Sequence, residues 1–245
     1  MVSKPGPCAW SSDVGSRALT RRACIIYLNN IHIWSKTMSS GKSRQDEIRA
    51  PQQRRSRERV EQILDATKKI IAEKGSARLK IIDIADVAGI TVGSIYQYFP
   101  NKNAIVHALG EKYLDEFHSL VEARLSTQPR TSGEMADIID GLVEDIYRMS
   151  LADPAIRDIW MGVAADKSLL EMSRIDGERN VAALVDAARA LVADAELERL
   201  PVSMLLMFQF ADTAIRVALD RPEAEGRAVV ERAKAMLRLI WFAMT

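Results

Sequence analysis

Between residues 79 and 103, apolar positions recur in two short helical registers that meet at Ala88-Gly89-Ile90. Before the junction, Ile81, Ile84, Ala85 and Ala88 return at intervals of three and four, which places them on one buried helix face. Gly89 supplies the backbone freedom that a tight turn between crossed helices needs. Thr91 is a good N-cap, because its hydroxyl can accept from the free amides of the turn it opens. Ile95 and Phe99 face the core four residues apart, so Val92, Gly93, Ser94, Gln97 and Tyr98 point elsewhere. Pro100 stops this helix, Asn101 caps the next, and Lys102 stands at its start.

Helical spacing continues to the end of the chain. Ile105, Leu109, Tyr113, Phe117, Leu120 and Val121 mark one helix, and a loop follows from Gln128 to Gly133. The next stripe runs from Met135 to Ile146 and stops near Asp153-Pro154. Ile156, Ile159, Trp160 and Val163 predict a short helix, and a long one is expected from Lys167 to Val192 with a bend at Gly177. No segment sustains a two-residue alternation, so the chain reads as all-α. From Val202 to Leu219 it is apolar on nearly every side except for a stripe of Gln209, Asp212, Thr213, Arg216 and Asp220. In the last helix Val229, Val230, Ala233, Met236, Leu237, Ile240 and Trp241 repeat at helical intervals. A helix so widely apolar needs cover on more than one side: either a homodimer through the last two helices supplies it, or a monomeric core does. No run is read as long enough to cross a membrane.

Charge changes this picture by its distribution. The net charge is +1, yet residues 38–103 carry 13 Lys and Arg against 8 Asp and Glu, and residues 104–245 carry 16 against 24. The basic half is therefore the one with the paired short helices, and Arg54, Arg55, Arg57 and Arg59 form its obvious basic arm. Residues 1–50 read as a flexible N-terminal extension, with Met38 as the expected native start. The stretch from Cys24 to Trp34 is too interrupted by Asn29, Asn30 and His32 for a secretory segment. Cys8, Cys24 and His32 fit no compact metal site, so no metal or cofactor is expected. Cysteine is confined to these residues, which fits a reducing cytoplasm.

The second short helix opens on small residues and then presents Gln97. Such a helix can enter a major groove closely, and glutamine can bridge N6 and N7 of adenine. A plain helical hairpin, with Tyr96, Tyr98 and Phe99 as packing aromatics, remains the alternative on spacing alone.

From Arg54 to Lys102 the chain resembles the tetracycline-repressor (TetR) family of bacterial transcription regulators, through RERVEQILDATKKIIAEKG and IADVAGITVGSIYQYFPNK. The most specific positions are Ala88-Gly89-Ile90-Thr91, Gly93, Ile95-Tyr96, Tyr98-Phe99-Pro100 and Lys102. The resemblance implies an all-α homodimer with a three-helix helix-turn-helix DNA-binding domain at residues 51–103. Residues 104–245 would then form a helical domain that binds a small effector and dimerises. It also implies that Val92, Gly93 and Gln97 touch base edges, while Thr91, Tyr96, Tyr98 and Lys102 hold phosphates of double-stranded operator DNA. The chain departs from the family pattern at Ser76, where an aromatic is usual, and at Leu79 and Lys80, where hydroxyl residues commonly cap the second helix. Lys80 would replace that phosphate contact by charge. Repression, relieved when an effector changes the spacing of two heads about 34 Å apart, is the expected mechanism.

Candidate effector contacts are Tyr147, Met149, Trp160, Met161, Met172, Met207, Phe208 and Asp212, since methionine and aromatic side chains adapt to irregular apolar ligands. Ordinary packing competes for each of them. Asp212 and Arg216 either orient a ligand, face water or pair with each other. An enzyme reading lacks a constellation: the three histidines, His32, His107 and His118, form no metal-ligand pair, and no glycine-rich phosphate loop occurs. His107 and His118 are expected to be partly exposed. An effector-independent DNA-binding or interaction module is the other alternative.

Overall fold

A computed structural model describes residues 44–162 and 166–245. Nine α-helices and no strand occur among the described residues. Cys8, Cys24, His32, Met38 and Val163 lie outside them, as does the side chain of Met161. The span read as an extension overlaps the first helix, α1 (Arg44–Lys74). Residues Arg55–Thr245 form one compact unit, and the packing below is that unit's.

After α1, Gly75 turns the chain at φ 78° into a single 3-10 turn at Ser76–Arg78. Leu79, at the expected capping position, is instead buried in the core. Helix α2 (Ile81–Ala88) therefore begins without a side-chain cap at Lys80. Its inner face is Ile84, Ala85 and Ala88, with Ile81 half-buried. Gly89 closes it at φ 64°, and the Gln62 side-chain amide donates to the final carbonyl, of Ala88, at 2.5 Å.

Helix α3 (Val92–Tyr96) is capped by Thr91, whose hydroxyl accepts from Ser94 N–H at 3.2 Å. It is shorter than its apolar spacing predicts. The amides of Tyr98 and Phe99 both return to the Ile95 carbonyl at 2.9 Å, so Gln97 and Tyr98 sit in a turn rather than on the helix. The cause is Pro100, which disfavours helical geometry at the residue before it. Phe99 is buried all the same.

Asn101 caps α4 (Lys102–Leu125), accepting from Ala104 N–H at 2.9 Å. Thr131 and Glu134 form a reciprocal capping box on α5 (Ser132–Ala152). Then come α6 (Pro154–Gly162) and α7 (Lys167–Ala188), the latter capped by Asp166. Helix α7 ends before the expected Val192 and runs helical through Gly177. That glycine serves close approach: a Cβ there would stand 3.4 Å from the Phe208 ring. The chain closes with α8 (Leu200–Leu219) and α9 (Glu223–Phe242).

Helices α5, α7, α8 and α9 share one core centred on Tyr147, Leu237 and Trp241. Trp241 is fully buried, and its indole donates to the Ser132 carbonyl at 2.8 Å. Ion pairs from Arg227 to Glu144 and from Arg238 to Asp140 run along the α5–α9 seam. Helix α8 corrects one expectation, because it is long and apolar enough to cross a membrane by length and composition. It carries one internal ion pair, Asp212–Arg216 at 2.7 Å, and packs on α9, α7 and α5.

Candidate nucleic-acid face and an apolar cavity

The buried side of the head anchors a polar exposed side. Ile84, Ala85, Ile95 and Phe99 pack inward with Ile63, Ile70 and Ile71 of α1. Thr91, Gly93, Gln97, Lys80 and Lys102 are exposed, as is Tyr96 at 54%, while Val92 and Tyr98 are half-buried. Arg55 is exposed on α1; Arg54, also exposed, belongs to the preceding unit. A rigid apolar underside thus fixes the residues that the sequence nominates for a groove. Helix α2 adds exposed Ile82 and Val87, which the spacing argument passed over.

The head is clasped to the helices behind it by two aspartates flanking the start of α6. Buried Asp153 accepts the Tyr113 hydroxyl at 2.8 Å and the Ala155 amide at 3.1 Å, and pairs with Lys68 of α1 at 2.6 Å. Burial, reinforced by Asp153, pushes the Tyr113 phenol well above its ordinary range. Asp158 accepts the backbone N–H of Ser76 at 2.8 Å. Glu61 and Lys112 add a surface ion pair between α1 and α4.

The far end of α6 reaches a cavity of about 970 Å³ that is lined by residues of α4–α9 and open on one side, where Lys167, Leu170, Glu171 and Arg174 are exposed. Of the nominated contacts, Trp160, Met207, Phe208 and Asp212 line it. Tyr147, Met149 and Met172 are not among the lining residues. Tyr147 is fully buried against α9, with Arg227 5.0 Å over its ring, and Met172 packs toward Gly110 of α4. Phe117, absent from the sequence nomination, stands 5.5 Å from Trp160 ring to ring. The indole nitrogen of Trp160 is buried without a hydrogen-bond partner.

The walls also bring charges that apolar spacing does not reveal. Burial raises the carboxyl of Asp212 against the pull of Arg216. It raises that of Asp176 too, opposed by His118, Arg179 and an Asn180 hydrogen bond. His118 is buried, contrary to expectation, between Asn180 Oδ1 at 2.6 Å and Glu122 at 3.0 Å. His107 is partly exposed and pairs with Asp166 at 3.1 Å. A lone histidine inside a helix gives no sequence signal of such a partnership.

Known proteins agree with this arrangement. Residues 63–109 match the model of bacterial regulatory proteins of the tetR family, and residues 133–244 match the tetracyclin repressor-like C-terminal domain. The chain is 29% identical to the HTH-type transcriptional regulator BetI of Cronobacter sakazakii over 49% of its own length, and the match spans 61% of that regulator. A TetR-family transcriptional regulator from Streptomyces coelicolor superposes with a TM-score of 0.55 at 23% identity, covering 76% of this chain and 99% of the other. RolR, solved in complex with resorcinol, superposes with a TM-score of 0.51 at 19% identity over 77% and 95% of the two chains. With both family models matched in chain order and the helix-turn-helix and helical halves formed, the chain belongs to the TetR family of transcriptional regulators.

Proposed function

We propose that the protein is a homodimeric DNA-binding repressor, with residues 51–103 as its operator-reading head and residues 104–245 as its effector-binding and dimerisation domain. The observation that carries this is the exposed strip Thr91, Gly93, Gln97 and Lys102 held over a buried Ile95–Phe99 base. Gly93 lets the backbone approach base edges, Gln97 supplies a bidentate amide, and Lys80, Lys102, Arg54 and Arg55 offer charge to phosphates. Thr91 divides its hydroxyl between the cap and the phosphate. Dimerisation is supported by the apolar residues that α8 and α9 leave uncovered, among them Val202, Leu206, Leu239 and Phe242 at 60, 63, 73 and 47% exposure. Such a DNA-bound role belongs in the cytoplasm.

Effector control is supported by the cavity and the clasp together, since α6 touches both. A molecule that moves Trp160 moves the helix whose Asp158 holds the head, which alters head spacing in the dimer. The reading is non-enzymatic, because the relatives are transcriptional regulators. The experiment is a mobility-shift titration of the DNA upstream of the protein's own gene, at several salt concentrations. Saturable binding that outlasts competition by random duplex is expected; loss of binding at the same competitor level for both sequences would falsify the operator-reading role.

A further inference from the structure

Helix α2 ends on a carbonyl that its own turn leaves over. The amides of Gly89 and Ile90 return to the carbonyls of Asp86 and Ala85, at 3.2 and 3.0 Å, so that of Ala88 is left to a side chain. Gln62 of α1 fills the place with its amide at 2.5 Å. The other half of this side chain is committed too. Its Oε1 accepts from Nη1 of Arg59, one turn back along α1, at 2.9 Å. The two bonds fix the amide one way round, because its NH2 must face the carbonyl and its oxygen the guanidinium.

This chain of bonds runs into the reading surface. Thr91, three residues past Ala88, opens α3, so Arg59 stands two hydrogen bonds from the turn that places Val92 and Gly93. Its charge is also unlike that of most arginines in the helical half. Arg124, Arg227 and Arg238 lie against carboxylates. Arg59 has no ion pair among the described residues, and the acceptor it meets is a neutral amide. A surface guanidinium steadied by a neutral partner keeps its charge and its remaining N–H groups for an anion. Arg57, two residues away, lies on the opposite side of α1 and takes no part in the chain.

We propose that Arg59 binds a DNA phosphate and that Gln62 is the positioning residue that ties this contact to the turn before α3. This deepens the operator-reading proposal and rests on it. Gln62 carries no charge and reads no base. Its part is to hold the end of α2 and the guanidinium in one register, so that the backbone contact fixes how deeply α3 enters the groove. A phosphate contact alone is blind to sequence; coupled to the turn, it makes base fit and backbone fit depend on each other.

The test uses the full chain and fluorescence anisotropy on two labelled duplexes of equal length, one from upstream of the protein's own gene and one of random sequence, over a range of salt concentrations. Arg59→Ala should weaken both duplexes and flatten the slope of log affinity against log salt by about 0.9, one phosphate's worth. Arg59→Lys should restore the slope, and Arg57→Ala should leave it unchanged. Gln62→Met keeps the reach of the side chain without its donor and acceptor, and Gln62→Glu keeps only the bond to Arg59. Each should lower the preference for the upstream duplex over the random one by about fivefold. Loss of folded protein weakens both duplexes alike, so this ratio separates positioning from folding. Equal slope changes in Arg57→Ala and Arg59→Ala reduce the contact to diffuse charge and overturn the phosphate role. An unchanged ratio in either Gln62 variant overturns the positioning role. Absence of any preference in the unaltered protein overturns the operator reading itself, and the inference with it.

Discussion

The head and the cavity use apolar residues in opposite ways. In the head, Ile84, Ile95 and Phe99 are packed so that short elements hold still, and function lies in what projects from the other side. Around the cavity, Phe117, Ile146 and Phe208 are as apolar, yet they frame a volume instead of filling it. A rigid underside suits a surface that must match a fixed ligand such as duplex DNA. An incompletely filled interior suits a ligand that the protein must enclose.

This contrast can be broken at its strongest point first. Phe99→Ala should cost about 3–5 kcal/mol of stability, because a buried aromatic is replaced by a cavity under α3. Chemical denaturation measures it, and a cost near zero would mean the head is not rigidly packed. Asp153→Ala should cost about 2–3 kcal/mol by orphaning the Tyr113 hydroxyl and Lys68 together. It should also uncouple the regions, so that denaturation followed at the head and at the bundle ceases to coincide; coincident transitions would show that the clasp is dispensable. Gln97→Ala sharpens the comparison further. It should weaken the preferred operator by about 1–3 kcal/mol while leaving random DNA nearly untouched, as read by fluorescence anisotropy. Equal losses on both would reject base reading. The smallest effect is expected from Gly89→Ala, about 1 kcal/mol, since φ is 64° there and no atom stands within 4 Å of the added Cβ. A thermal midpoint unchanged within error would show that the turn tolerates a side chain.

Legibility followed the same division. The head announced itself because Gly89, Thr91 and Pro100 each act locally, through a left-handed turn, a cap and a stop. Only the reach of α3 was overestimated, since the Ile95–Phe99 spacing survives in a turn as well as in a helix. The departure at Leu79 and Lys80 was legible as a missing cap, and α2 indeed starts without one; that Leu79 is a core residue shows only once the neighbouring chain is placed. The cavity was half legible. Trp160, Met207 and Phe208 carry the residue types that line apolar sites, but Tyr147 carries them too and fills the core. Asp176 and Asn180 were silent and His118 was misplaced at the surface, since helices brought together from distant segments create that chain of hydrogen bonds.

One bond in the clasp bears on how such a chain can drift over generations. Asp158 grips the main chain at Ser76, so any residue with a backbone N–H can occupy that position without loosening the grip. The serine found where the family usually places a ring is then a tolerated exchange. Proline alone would be barred there, for it has no hydrogen to offer.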